Sequence, residues 1–138
     1  MDPTDEEEGT WCDERRADVA QYLRNQGLQH GEIGEVAAWF VAPHISVWAI
    51  ESLKSPGAVG WWAISGDMPT DYCSADQCRH PRLALRRIAE RWVQEIAATQ
   101  SGSDRIGATG LDIALMPLLR ARATVLSMFA ADDDAWPE

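Results

Sequence analysis

Aromatic and β-branched residues concentrate between positions 35 and 72, in runs separated by Pro43 and by the pair Pro56-Gly57. Aromatic and β-branched side chains favour extended backbone, whereas proline and glycine end strands and form turns. The pattern therefore predicts a small antiparallel sheet of about three strands at the centre of the fold. Four of the seven tryptophans lie in this region: Trp39, Trp48, Trp61 and Trp62.

The strand boundaries follow from these breaks. We expect strands over residues 35–42, 44–53 and 59–65, with turn chemistry at 54–57 and a polar loop over 66–70. Alternate positions of the second run are apolar on both sides, so both faces of that strand should be covered. A continuous apolar run of this kind is also compatible with a buried helix, and periodicity alone does not separate the two.

The N-terminal region has the pattern of a tail followed by a helix. Residues 1–9 are mostly acidic and are expected to be disordered. Thr10 precedes Asp13 by three residues, which resembles a capping box and predicts a helix over 11–26. Gly27 is a natural end for that helix, because it tolerates positive φ without steric cost.

Two further helices are predicted after the sheet. Residues 81–99 carry a regular apolar stripe and begin with Pro81, whose missing N–H costs nothing at the first helical position. Residues 111–130 carry a second stripe, interrupted at Pro117, after a flexible loop over 101–110. The complete pattern predicts an α+β fold, with an N-terminal helix, a small antiparallel sheet and two or three packed helices.

The net charge of −10 arises at the two ends of the chain. Seven acids lie within the first fourteen positions and four within the last seven, whereas residues 15–131 carry eleven acids and twelve Arg or Lys. We therefore expect one domain over 10–130, between an acidic tail at 1–9 and another at 131–138. This charge disfavours nucleic acid as a partner, because the phosphate backbone would be repelled.

The remaining bulk features concern location. The acidic N-terminus lacks the hydrophobic region of a signal peptide, and no window approaches eighteen apolar residues, so we expect neither export nor a membrane span. Three cysteines form an odd set, which is typical of reduced thiols. These features predict a cytoplasmic protein.

Three strings carry a family resemblance: AWFVAP at 38–43, VWAIES at 47–52 and GWWAISGDMPTDY at 60–72. In these strings, and over roughly residues 35–95, the chain resembles a family of small uncharacterised bacterial proteins classed as a domain of unknown function. The resemblance implies a bacterial cytoplasmic protein. It implies neither an activity nor a ligand.

The loop after the third predicted strand has the best-placed polar residues. Asp67 and Asp71 lie on either side of Pro69, whose ring stiffens the backbone, so their carboxylates could converge. Paired carboxylates can share a proton, hold a metal or accept hydrogen bonds from a cationic ligand. The structural alternative is that Asp67 closes an Asx turn and Asp71 caps the segment that follows.

Glu51 is a carboxylate within an otherwise apolar run, which suits either a tuned buried group or a strand end that reaches water. If it faces the same loop, Glu51, Asp67 and Asp71 would line an acidic, Trp-walled pocket for a cationic or sugar-like ligand. In an enzyme these carboxylates would be the acid and base groups. The residues expected to contact a ligand or partner are Trp48, Trp61, Trp62, Asp67, Thr70, Asp71 and Tyr72.

The order Cys73-x4-Cys78-x-His80 is compatible with part of a zinc site. Tetrahedral zinc needs four ligands, and only the distant Cys12 or an aspartate is left to complete the set. The pattern therefore favours three unconnected thiols, with no metal and no cofactor. A cysteine nucleophile would need a nearby His and an orienting group, and no local signature supports one.

A basic cluster lies at the start of the second predicted helix, where free backbone N–H groups also attract anions. It is compatible with a phosphate or carboxylate site, with a contact to the chain's own acidic ends, or with a solvated helix face. The residues expected to bind an anion are Arg79, Arg82 and Arg86.

No Gly-rich phosphate loop, H-E-x-x-H or G-x-S-x-G motif occurs in the sequence. The leading interpretation is therefore a non-catalytic module that binds a protein partner, for which an immunity or inhibitor protein is one concrete form. The alternative is a small enzyme or ligand-binding domain that uses the carboxylates above. We expect a monomer or a small homo-oligomer.

Overall fold

A computed structural model describes residues 4–137 of the chain. These residues form two compact units, one up to Ala84 and one from Leu85 onward. An N-terminal helix comes first, a four-stranded antiparallel sheet follows, and the remaining helices complete the chain. The predicted α+β class is confirmed; the main sheet has one strand more than expected, and two short strands form a second sheet.

Helix α1 spans Asp5–Gln26 and begins six residues earlier than predicted. Thr4 is its N-cap: the Glu7 N–H donates to Thr4 Oγ1 over 3.2 Å, and that hydroxyl donates to the Glu7 carboxylate over 3.0 Å. Four acidic side chains fill the first turn, where the helix dipole stabilises negative charge. Gly27 ends the helix in the left-handed region, with φ of 69°.

The predicted disordered tail is thereby corrected, because residues 5–9 are the first turns of α1. A run of carboxylates is typical of a solvated tail, but the same charges suit a helix N-terminus that has a threonine cap. Residues 1–3 of the predicted tail lie outside the described residues.

The sheet contains β1 (Trp39–Val41), β2 (Ile45–Glu51), β3 (Val59–Gly66) and β4 (Met68–Ser74) in that spatial order. Strands β2 and β3 lie close to their predicted positions, and the buried-helix alternative for β2 is excluded. The predicted strand over 35–42 is reduced to three residues.

A bulge explains why β1 is so short. The segment before it already pairs with β2, since Gly34 N–H donates to Ala49 O over 2.9 Å and Ala38 N–H donates to Val47 O over 2.8 Å. The two donors are four residues apart and the two acceptors only two, so two extra residues bulge out of the ladder. Val36 lies in this bulge and is 79% exposed.

The predicted polar loop over 66–70 is a tight hairpin that leads directly into β4. Gly66 pairs with Met68, and only Asp67 lies between the two strands. No local pattern predicts a strand here, because β4 is largely polar and contains Pro69, which only an outer strand tolerates. A side chain at position 66 is excluded sterically, since a Cβ there would overlap the His44 carbonyl oxygen.

The core of the first unit lies between α1 and one face of the sheet. Its buried members are Val19, Leu23, Ile33, Trp48, Ile50 and Ala63. Residues that point to the opposite face, such as Val47 and Ile64, are also fully buried. Both faces of the central strands are therefore covered, as the alternation predicted.

Helix α2 spans Pro81–Ala98, close to its predicted bounds. The predicted flexible loop over 101–110 instead contains β5 (Arg105–Ile106), which pairs with β6 (Leu111–Asp112). The Ala108 N–H donates to the Glu95 carboxylate and so ties this segment to α2. A local carboxylate thus orders a stretch whose glycine and serine content indicated flexibility.

Helix α3 spans Met116–Ala131 and has its proline within the first turn, which explains the interruption predicted at Pro117. The acidic segment that follows forms a short 3-10 turn over Asp133–Ala135. Trp136 is 9% exposed, and its Nε1–H donates to Phe129 O over 2.9 Å. The predicted C-terminal tail is therefore ordered up to Pro137, and Glu138 lies outside the described residues.

By length and mean hydropathy alone, one segment of the described chain, Ile113–Ala131, could cross a membrane. Core helices of soluble proteins meet the same criterion, so the expectation of no membrane span stays a prediction.

Two glycine substitutions test the packing at the hairpin. Gly66→Ala should lower the free energy of unfolding by about 2 kcal/mol or more, because the new methyl group would overlap His44 O. Gly9→Ala is the control: it lies within α1 with no atom within 4 Å of its Cβ position. It should raise stability by about 0.5–1 kcal/mol. Urea denaturation measures both, and an unchanged midpoint for Gly66→Ala would contradict the tight hairpin.

Candidate functional site

Two of the tryptophans predicted to wall a pocket are core residues. Trp48 is 1% exposed and its Nε1–H donates to Ser46 Oγ over 2.9 Å. Trp62 is 7% exposed and donates to Cys78 O over 2.7 Å. Trp61 is half-buried and packs against the core under α1. The expectation that Trp48 and Trp62 face a ligand is therefore corrected, because each indole is buried with its N–H satisfied inside the protein.

The three candidate carboxylates do not form one cluster. In the β2–β3 ladder Ile45 lies opposite Gly66, whereas Glu51 lies opposite Val59, so Glu51 and the Asp67 turn are at opposite ends of the strand pair. Six strand residues separate those ends, a distance of about 20 Å. The predicted pocket of Glu51, Asp67 and Asp71 therefore does not form. These carboxylates could come together only if β2 and β3 paired in a different register.

Glu51 instead closes a turn. Its carboxylate accepts the Gly57 N–H over 2.9 Å and the Glu32 N–H over 3.5 Å, and so holds the β2–β3 turn and the segment beside it. Gly31 lies so close that a Cβ would come within 2.7 Å of the same carboxylate. These contacts give Glu51 a structural role and explain a carboxylate at the end of an apolar run.

Asp71 and Tyr72 contact helix α1. Asp71 Oδ1 accepts the Tyr22 hydroxyl over 3.3 Å and the Tyr72 N–H over 2.8 Å. The rings of Tyr22 and Tyr72 meet edge to face, with centroids 6.0 Å apart. The contact thus joins the outer strand of the sheet to α1. Asp67, in contrast, is exposed in the hairpin turn, and its predicted role in binding stays a prediction.

A second polar contact attaches α1 to the middle of the sheet. Ser65 is 1% exposed, and its hydroxyl donates to Asp18 Oδ2 over 3.2 Å. Arg15 donates to the same carboxylate oxygen over 2.9 Å. The Arg15 guanidinium also lies 5.5 Å from the centre of the Trp11 ring, in a cation–π arrangement.

On its other side α1 contacts the segment before β1. Arg16 donates through Nε to Gly34 O over 2.8 Å and through Nη2 to Ile33 O over 2.7 Å. We call the three contacts through Arg16, Asp18 and Tyr22 the α1 seam. These residues are not predictable from a local sequence pattern, because their partners lie 17 to 49 positions away. The only local signal was that they share a helix with Val19 and Leu23.

The first half of α1 is mostly exposed, although the half-buried Cys12 packs against the core of the first unit. Among the described residues before Val19, none is buried. We call residues 5–14 the acidic segment; it contains no Lys or Arg. Its carboxylates are Asp5, Glu6, Glu7, Glu8, Asp13 and Glu14, all exposed except the half-buried Glu8. The structure therefore presents six negative charges on an ordered helix.

The acidic segment affects the pKa of the Cys12 thiol. Burial raises the pKa of its thiol, and the neighbouring carboxylates of Glu8 and Asp13 raise it further, because each disfavours the thiolate. A raised pKa makes Cys12 a poor nucleophile near neutral pH.

The other cysteines are buried. Cys73 and Cys78 are 5% and 3% exposed, and neither forms a disulfide. Across residues 4–137, no group of three or more His, Cys, Asp or Glu side chains is placed to hold a metal ion. His80, the third residue of the zinc-like pattern, accepts the Arg82 N–H at the start of α2 over 3.1 Å.

The predicted anion-binding arginines lie at the start of α2. Arg79 and Arg86 are exposed and Arg82 is half-buried. Arg79 and Arg82 belong to the first compact unit and Arg86 to the second. Anion binding by these residues stays a prediction.

Comparison with protein families gives one match. A family model described as a domain of unknown function, DUF4826, matches residues 5–136. The chain belongs to this family. The predicted resemblance to a domain of unknown function is thus confirmed, and it extends well beyond residues 35–95. Neither the curated proteins nor the solved structures contain a match to the chain.

Ser46→Ala should destabilise the first unit. Its buried hydroxyl donates to Ser65 O over 2.7 Å and accepts the Trp48 Nε1–H, so removing it leaves the buried indole N–H without its acceptor. We expect a loss of about 1–3 kcal/mol in the free energy of unfolding. Ser127→Ala, at an exposed position of α3, is the matched control and should change stability by less than about 0.5 kcal/mol. Equal midpoints in urea would refute the role of this hydroxyl.

The double substitution Glu8→Gln with Asp13→Asn should lower the pKa of Cys12, because it removes the two negative charges that disfavour the thiolate. The rate of alkylation by iodoacetamide should therefore rise at each pH below that pKa. Asp5→Asn with Glu6→Gln removes two charges elsewhere on the segment and should have the smaller effect. Mass spectrometry of Cys12 across a pH series measures both rates, and identical profiles would count against the assigned cause.

Proposed function

We propose that this protein is a non-catalytic binding module whose acidic segment docks onto a basic surface of another protein. The supporting observation is that six carboxylates lie within residues 5–14 of an ordered helix, five of them exposed. The half-buried Cys12 packs this part of the helix against the core. The segment contains no Lys or Arg of its own, and Glu14 lies 3.9 Å from Arg15 just beyond it.

The physical chemistry of such a surface favours association with a cationic partner. A net charge of −10 steers a basic protein toward the chain and raises the association rate. Because the threonine cap and the α1 seam already order the helix, binding costs little conformational entropy.

An immunity or inhibitor protein of the bacterial cytoplasm is the concrete form that we propose. An acidic inhibitor can cover the active site of a basic enzyme and compete there with an anionic substrate. The alternative, an enzyme or ligand-binding domain with a carboxylate pocket, has less support, because the strand register separates Glu51 from Asp67.

The test uses substitutions, since deletion of residues 1–9 would remove the cap and first turn of α1. The variant carries Glu6→Gln, Glu8→Gln and Asp13→Asn, which leaves the Thr4–Glu7 cap intact. The control carries Glu35→Gln, Glu90→Gln and Asp104→Asn, three exposed acids outside the segment. Both lose three negative charges, so a difference between them reports position, not net charge.

Each tagged protein is used to capture partners from a lysate of the source organism, and the partner is then purified for kinetic measurement. We expect the unmodified chain and the control to retain one basic protein in stoichiometric amount. The variant should associate at least about tenfold more slowly, with a weaker salt dependence. Circular dichroism checks that the helix persists. Equal association rates for variant and control, or no captured protein, would overturn the proposal.

A further inference from the structure

Helix α3 and the residues just before it are free of acids in a strongly acidic chain. Ile113–Ala131 contains no Asp or Glu, the longest such stretch in the sequence. The stretch is apolar overall, but only 22% of its residues are buried. An apolar core helix would have most of its surface covered, so this helix has an apolar face that the chain itself leaves open.

The open face of α3 consists of exposed residues that recur at helical spacing. Its central residues are Pro117, Ala121, Thr124, Met128 and Ala131, all exposed. Leu119, Ala123, Leu126 and Ala130 form the buried side of the same helix. Met128 is 66% exposed and is the largest apolar group on the open face. We call this the α3 face.

The two ends of α3 carry opposite charges. Arg120 is exposed near the beginning of the helix, whereas Asp132, Asp133 and Asp134 are exposed immediately after its end. Twelve residues separate Arg120 from Asp132, which is about 18 Å along a helix axis. A second α3 in the opposite direction would bring each arginine next to the other's aspartates, and would also oppose the two helix dipoles favourably.

We propose that the α3 face pairs with the α3 face of a second copy of this chain, antiparallel and about a two-fold axis that passes between Thr124 and Met128. In that arrangement Ala121 lies opposite Ala131 of the second copy, and Met128 lies opposite its Thr124. Small residues opposite larger ones allow close approach of two helices. The surface is thus complementary to itself, as an isologous dimer requires.

Local charge complementarity favours a second copy as the occupant, since each Arg120 would face the aspartates of the other copy. The net charge of −10 on each copy opposes association overall, which confines contact to a surface without acids and weakens the dimer. An anionic lipid surface would be repelled by the same net charge. This inference does not depend on the proposed function, since it concerns a different helix.

The pair should be weak. One face of a sixteen-residue helix buries less area than the standard interface of a stable complex. We therefore expect a dimer that forms only as protein concentration rises, not a permanent one.

Sedimentation equilibrium on the full chain over a wide concentration range measures the association. The unmodified protein should pass from monomer to dimer and no further. Met128→Asp introduces acids into the centre of the interface and should weaken the dimer at least tenfold, and Arg120→Glu should also weaken it. Arg105→Glu has the same charge change at an exposed position outside α3 and should leave the dimer unchanged.

A charge exchange tests the antiparallel direction. Asp134→Arg alone should weaken the dimer, while Arg120→Glu combined with Asp134→Arg should restore most of the lost affinity, because the opposite charges again face each other. Asp134 is preferred to Asp132, whose carboxylate accepts the Asp134 N–H. Circular dichroism confirms that each variant is folded.

Three outcomes would overturn the proposal. One is a protein that remains monomeric at all concentrations, and another is a dimer that Met128→Asp leaves intact. The third is a monomer that sediments with phosphatidylglycerol vesicles and loses this property in Met128→Asp, which would assign the α3 face to lipid. The acidic-segment variant separates this proposal from the proposed function, because it should dimerise normally.

Discussion

A buried tryptophan on the central sheet needs a hydrogen-bond acceptor, and much of the first unit is arranged around that need. Trp48 Nε1–H donates to Ser46 Oγ, and the same hydroxyl donates to the backbone of β3 at Ser65. The Ser65 hydroxyl then donates to Asp18 on α1. One chain of polar groups therefore sets both the β2–β3 register and the position of the helix above it, within a surrounding core where an unpaired donor would be costly.

The position of α1 in turn determines where the carboxylates of residues 5–14 lie on the surface. Contacts through Arg16, Asp18 and Tyr22 attach the second half of the helix to the sheet, while the first half carries the carboxylates. The helix dipole and the threonine cap make those charges compatible with an ordered first turn. At the other end of the chain, α3 shows the opposite arrangement, an apolar face without acids. Two helices of one small protein thus present surfaces that suit two different kinds of contact.

Local patterns predicted the elements whose cause is local. The central strands and α2 were found because alternation, helical periodicity and a first-turn proline are encoded within each segment. Strand β4 was missed because polar residues and Pro69 hide an outer strand, and the start of α1 was misplaced because Thr4 and Thr10 are both suitable caps. The predicted carboxylate pocket is wrong for another reason. The register of β2 and β3 determines which residues lie opposite each other, and it places Glu51 far from Asp67. The seam depends on contacts between distant residues, which no local window contains.

The bulge before β1 has a consequence for the behaviour of the protein in concentrated solution. Outer strands with regular, unpaired backbone invite strand addition from other molecules and so promote aggregation. Here one outer side is interrupted at residues 35–37 and ends in a three-residue strand, and the other outer strand contains Pro69, which has no N–H to offer. Growth of a continuous intermolecular sheet is therefore discouraged at both sides, and a chain rich in tryptophan and β-branched residues can remain dispersed.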